Sequence, residues 1–167
     1  MSLHHLWSPW RLAYVTGASG GDPACVFCDA LKSEQHDLVL ARGRLCYAIL
    51  NLYPYNGGHL MVALNRHVGT LAATTRDEQT ELMHLTRRAE IALTEAYTPQ
   101  GINIGVNIGR PAGAGVLDHL HVHLVPRWNG DTNFMTVVGE TRVLPEDLAQ
   151  SAARLRPIFE RLMKEDV

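Results

Sequence analysis

Residues 113–128 read GAGVLDHLHVHLVPRW, and the fold turns on how this stretch is read. At its centre His119, His121 and His123 alternate strictly with Leu120, Val122 and Leu124. Alternation over six residues is the pattern of a half-buried strand, predicted here over His119–Val125 and ended by Pro126. Side chains two apart on a strand share a face. The aliphatic residues therefore turn to a core and the three imidazoles to a site. Neighbouring imidazoles stand about 6.5 Å apart along such a strand, within reach of one phosphate-sized group. A merely solvated strand would carry mixed Thr, Lys or Glu at these positions. Three perturbable groups on one face point to function instead.

Three chemistries suit this strand: a tri-histidine metal site, a histidine nucleophile with acid–base helpers, or an anion site. Three same-face positions span about 13 Å, too far for one metal without a bulge, so the first ranks last. The preceding residues, Gly101–Gly115, read GINIGVNIGRPAGAG. They predict a strand over Gly101–Ile108, with Ile102, Ile104, Val106 and Ile108 inward and Asn103 and Asn107 on the other face. A small-residue loop follows, in which Gly113 and Gly115 leave backbone N–H groups open to a phosphate. Histidines facing such a loop indicate phosphoryl chemistry.

Farther out, Asp37–Ala41 and Leu45–Leu52 predict a hairpin about Gly43, and His59–Leu64 a third strand. His59, Met61 and Ala63 share one face of it. His67–Ala73 suits a short helix. Thr75 and Glu78 form a capping box for a helix running to about Tyr97, with Leu82, Leu85, Ala89, Ala92 and Ala96 on one face. A last helix is predicted within 145–165, with Leu148, Ala152, Leu155, Phe159 and Leu162 inward and a kink or restart at Pro157. Leu6–Tyr14 (LWSPWRLAY) is an aromatic arm, and Gly17–Pro23 a flexible link. The order of elements indicates an α+β domain on an antiparallel sheet of about five strands, with a long central helix and a C-terminal helix.

The chain has 167 residues, enough for one domain (1–167: arm and link 1–24, core 25–134, C-terminal helix 145–165) and too few for two ordinary ones. Charged residues make up 19% and the net charge is −2, so no basic excess speaks for a nucleic-acid or membrane partner. A signal segment or spanning helix is not expected. Cys25 and Cys28, as CVFC, suit a reducing cytoplasm and supply half of a tetrahedral zinc site. Two buried thiols would read the same way. Cys46, alone in a strand, is read as core. No organic cofactor is expected.

The motif HLHVHLV, together with PYNGGHLMVALNRH at Pro54–His67, resembles the histidine triad (HIT) family over most of Cys25–Phe134. LWSPWRLAY, the Cys-x-x-Cys and HLVPRWNGDTNF look most like that family's bacterial diadenosine tetraphosphate phosphorylase branch and its hydrolase relatives. The resemblance implies a HIT-like fold and a nucleotide hydrolase or transferase. Such an enzyme cuts at the α-phosphate of a nucleotide or dinucleoside polyphosphate. It implies a covalent intermediate on His121, its second ring nitrogen held by an acceptor. It implies that His123 donates to a phosphate oxygen and helps to protonate the leaving group, and that His119 completes the triad. His59 is implied to support His121, unless it is a backbone-satisfied core histidine. Asn51 is implied near ribose and Asn107 near phosphate, and either could cap a turn instead. Zinc-bearing relatives imply His67 and His119 as the partners of Cys25 and Cys28. Relatives pair edge to edge, implying a homodimer or higher homo-oligomer. Many place Gln, Ser or Thr where this chain has Gly115 and Val116, so the phosphate contact here falls to backbone. A rival reading keeps the pocket as a nucleotide-binding or sensing module without turnover.

Overall fold

The computed structural model describes residues 25–131 and 146–165. The aromatic arm and link at 1–24, the end of the motif tail beyond Asp131 and the start of the C-terminal segment at 145 lie outside the described residues. A seven-residue helix, α1 (Val26–Lys32), leads into β1 (Val39–Arg42), β2 (Cys46–Leu50) and β3 (Leu60–Leu64). Then come the 22-residue helix α2 (Arg76–Tyr97), β4 (Gly101–Val106), β5 (His121–Arg127) and α3 (Leu148–Leu162). The five strands form one antiparallel sheet in the order β1-β2-β3-β5-β4. The histidine strand lies inside the sheet, flanked by β3 and β4.

Alternation sorts the sheet into two faces, as the period of two requires. Leu60, Val62 and Leu64 join Leu120, Val122 and Leu124 in the main core under α2 and α3. α2 contributes Leu82, Leu85, Ala89 and Ala92, and α3 contributes Ala152, Leu155, Phe159 and Leu162. Tyr47, Ile49, Met61 and Ala63 face the other way, where Phe27 and Ala30 of α1 cover them. α1 lies against this side near β1–β3. The stretch of the same face over β5 and β4 carries the histidines and a cleft.

Several expectations shift. β5 begins at His121 rather than His119, because the Leu120 amide leaves the sheet to donate to the Val68 carbonyl (2.6 Å). Pro126 does not end the strand, which runs to Arg127 with Pro126 opposite Ile102. Pairing with β3 stops at Leu124, and the Pro126 carbonyl accepts from the Asn56 side chain instead. A missing N–H on that side costs no ladder bond. Ile104 and Ile108 are not inward: they are 47% and 43% exposed, because β4 is an edge strand and the helices do not extend over its outer part. Pro157 neither ends nor restarts α3. The carbonyl it leaves without a donor, that of Ala153, lies among exposed residues where water can serve it. α3 starts from an Asp147–Gln150 capping box rather than at Pro145.

Candidate active site

The inner position of β5 puts His121 opposite Ala63, and His123 opposite Met61 on one side and Gly105 on the other. His123 lines a cleft, whereas His121 is covered by Phe27. His121 is 4% exposed, and its Nδ1 donates to the carbonyl of His119 at 2.7 Å. That bond selects the tautomer with a free lone pair on Nε2. Burial pushes the His121 imidazole below the usual histidine value, outweighing the opposing pull of the His119 carbonyl, so it is neutral near pH 7. A neutral ring with its Nδ1–H held and its Nε2 available is the state a histidine nucleophile needs.

His59 sits against His123, their ring centroids 5.2 Å apart. The Tyr55 amide donates to His59 Nδ1 (3.0 Å), so His59 carries its proton on Nε2. That Nε2 lies 3.0 Å from His123 Nδ1, which must therefore accept. His123 is left with its proton on Nε2, a donor suited to an oxygen of substrate. The Tyr55 ring lies near-parallel to that of His123 (22°, 6.1 Å) and 4.5 Å from that of His59. His123 and Tyr55 line a cleft of about 340 Å³ with Asn103, Gly105, Asn107 and Arg127. Asn51 sits beside His59, Nδ2 to Nε2 at 3.4 Å, while its Oδ1 accepts the Tyr53 amide (2.9 Å) in the turn after β2. The turn-capping alternative thus takes one end of this side chain.

His119 turns away from the other two. Its Nε2 donates to the Leu64 carbonyl (2.7 Å), which leaves the Nδ1 lone pair facing Cys25 Sγ (3.3 Å) and Cys28 Sγ (3.5 Å). His67 Nδ1 lies 3.3 Å from Cys28 Sγ. The ligand atoms of Cys25, Cys28, His67 and His119 all fall within 4.8 Å of one another, so the four could hold a metal ion. Tetrahedral bonds of about 2.0–2.3 Å require ligand separations of about 3.3–3.8 Å, which the three contacts of 3.3–3.5 Å match. A histidine ligand whose far nitrogen is fixed by a carbonyl is the arrangement metal sites favour. Burial and the neighbouring Cys25 push the Cys28 thiol up, and a cation would supply the charge that holds both sulfurs as thiolates. The three motif imidazoles, by contrast, address three different partners and do not converge on one ion.

The loop after β4 turns through a short 3-10 segment, Arg110–Ala112. Positive φ occurs at Gly109 (83°) and Gly113 (90°), and Gly115 is not among the glycines that need it. The conformational demand expected at Gly115 therefore falls at Gly113. Asn107 Nδ2 reaches the Gly113 carbonyl at 3.5 Å, tying the strand end to the loop. Cys46 is fully buried, its thiol against the Glu78 carbonyl and pushed up to about 12 by burial. A larger hollow, about 430 Å³, lies between Arg44 and Arg88 on the helical side. Its Glu81 is already engaged by the Leu45 and Cys46 amides (2.6 and 3.1 Å), and it lacks any grouping like the histidine cleft.

Two side chains at the site went unread in the sequence. Tyr55 shapes the cleft and could have been flagged as the aromatic in Pro54–His59. Phe27, inside CVFC, packs on His119 and His121. The carbonyls of Leu64 and His119 carry no sequence signal, since every residue has one.

An antiparallel sheet presenting a histidine pair on an inner strand, with a Cys/His tetrad beside it, defines a class, and the comparisons agree. The HIT domain family model matches residues 32–130, and the chain belongs to that family. It is 44% identical over 152 residues to the AP-4-A phosphorylase of Mycobacterium tuberculosis, covering 86% of this chain and 78% of that protein. It is 30% identical to the bis(5'-adenosyl)-triphosphatase of Dictyostelium discoideum, covering 70% and 81%. A Zn-bound histidine triad family protein from Mycobacterium smegmatis superposes with a TM-score of 0.68 at 27% identity, covering 84% of this chain and 96% of that one.

Proposed function

We propose that this chain is a nucleotidyl transferase or hydrolase that cuts dinucleoside polyphosphates at the α-phosphate through a covalent intermediate on His121. The observation that carries this reading is the 2.7 Å bond from His121 Nδ1 to the His119 carbonyl, in a buried neutral ring beside an open cleft. His121 Nε2 attacks the α-phosphorus. The bond to the bridging oxygen breaks, and the leaving polyphosphate takes its electron pair. The ring, now positive, keeps its Nδ1–H on the carbonyl, whose dipole stabilises that charge. His123 supports the phosphoryl oxygens with a hydrogen bond from Nε2. It gives up no proton: His59 already donates to its Nδ1, and a polyphosphate leaving group needs none near neutrality. The N–H groups about Gly113 and Gly115, with Asn107, line the polyphosphate side, and Asn51 serves the nucleoside side.

A second displacement frees His121. Likeness to an AP-4-A phosphorylase favours inorganic phosphate over water as the acceptor. Diadenosine tetraphosphate plus phosphate then gives ATP and ADP, whereas water gives ATP and AMP. Cys25, Cys28, His67 and His119 would hold a structural zinc, which ties α1 to the strand bearing the nucleophile. Free thiols at these positions suit a reducing cytoplasm. We further infer a homodimer through the outer edge of β4, where Ile104 and Ile108 are exposed.

Mass spectrometry of a diadenosine polyphosphate reaction, with and without phosphate, tests the reading. ADP appearing with phosphate and an acid-labile adenylyl adduct on His121 are expected. His121→Asn should lose turnover while nucleotide affinity stays within a few fold. Nucleotide binding with neither adduct nor turnover would replace this reading with that of a binding module.

A further inference from the structure

Phe27 is 2% exposed and lies between the two cysteines of the tetrad. Its ring centroid is 4.6 Å from that of His121, tilted 38°, and 5.1 Å from that of His119, tilted 43°. The His121 ring also meets that of His123 edge to face, at 4.8 Å and 72°. The imidazole thus contacts two rings, with one nitrogen on the His119 carbonyl and the other left for substrate. α1 has only seven residues and cannot hold its shape alone. It is fixed by Tyr47, whose hydroxyl donates to the Phe27 carbonyl (2.8 Å), by Arg42 on the Ala30 carbonyl (3.0 Å), and by its cysteines against His67 and His119.

We propose that Phe27 is a positioning residue for His121, and that the state of Cys25 and Cys28 controls the nucleophile through it. His119 joins the two: its side chain belongs to the tetrad and its carbonyl accepts the hydrogen bond from His121 Nδ1. A cation held by Cys25 and Cys28 would lock α1 in the observed arrangement, with the Phe27 ring on the imidazole. Losing that cation, or tying the sulfurs up with an alkylating reagent, lets the ring lift and His121 rotate off its carbonyl. The proposal rests on His121 as nucleophile.

The test uses the full chain labelled with 15N at histidine. Long-range proton–nitrogen spectra report each imidazole tautomer, and the His121 signals are identified by their absence from His121→Asn. Wild-type protein should show a single neutral Nδ1–H form for His121. Phe27→Leu keeps a buried apolar side chain while removing the flat ring. It should retain metal content and fold, show mixed or broadened His121 tautomers, and lower kcat by about 10- to 100-fold with KM within two-fold. Wild-type protein stripped with a chelator should give the same His121 spectrum. The proposal fails if Phe27→Leu keeps kcat within two-fold with an unchanged spectrum. It also fails if its activity falls only in proportion to lost metal or folded protein. Failure of the nucleophile assignment is separate, and is read from turnover by His121→Asn or from an adduct on another residue.

Discussion

At the scale of residues, the site depends on short contacts that one atom can spoil. Gly69 is the sharpest case. A β-carbon there would lie 3.0 Å from Asp118 Cα and 3.0 Å from the Leu117 carbonyl oxygen, both backbone atoms that cannot swing aside. This close approach lets residues 67–69 run along 117–120, with the Leu120 amide on the Val68 carbonyl, and brings the His67 ring within 5.3 Å of His119. Gly69→Val should push the two segments apart and weaken metal binding by about 10- to 100-fold, the range seen when supporting groups of metal ligands are lost. Competition with a coloured chelator measures this. Unchanged affinity would mean that His67 reaches the cluster without the close approach. In the loop beside the cleft, Gly113 is held at φ 90°. Gly113→Val should therefore cost turnover more than the same change at Gly115.

At the scale of elements, α2 is anchored where it begins. Thr75 and Glu78 form a capping box, and Arg66 from the end of β3 grips both Glu78 oxygens (2.9 and 2.8 Å). The Arg66 guanidinium, then the Thr75 amide, hold the Glu78 carboxyl down to about 2 from an ordinary 4.5. A carboxyl held lower in the folded chain than in the unfolded one contributes stability that is complete above 4.5 and is lost as the pH falls toward 2. The difference in melting temperature between wild type and Glu78→Gln should accordingly be largest near neutrality and close across that window. A difference independent of pH would assign the effect to packing. On α3, Phe159 is fully buried in the main core, and Phe159→Ala should destabilise by about 3–5 kcal/mol in denaturant titrations.

At the scale of the whole molecule, two covers complete the sheet. α2 and α3 cover one face, and α1 covers part of the other. If the tetrad holds zinc, Cys28→Ser should drop the metal content from about one per chain to near none and lower the melting temperature. Elemental analysis and scanning calorimetry check both. β4 is one edge of the sheet, and Ile104 on it is exposed. Ile104→Lys should place a charge on that edge and shift the protein to monomer in light scattering. An unchanged mass would move any dimer contact elsewhere. Among the described residues no helix is long and apolar enough to cross a membrane.

The alternation at Leu120–Leu124 was sufficient to place the leucines in one core and His121 and His123 on the opposite face, because a period of two leaves a strand no other choice. The Thr75–Glu78 cap was equally legible, since both partners lie within one turn of helix. The family too was readable from HLHVHLV. What depended on contacts between distant residues was not. That Ile104 and Ile108 lie exposed follows from β4 standing at the edge, which strand order decides and periodicity cannot. That His59 faces His123 depends on where the Tyr55 amide points, whereas the grouping of His119 with the cysteines was legible through the family resemblance. The acceptor that prepares His121 is a main-chain carbonyl, and its identity emerged only once the chain had folded around it.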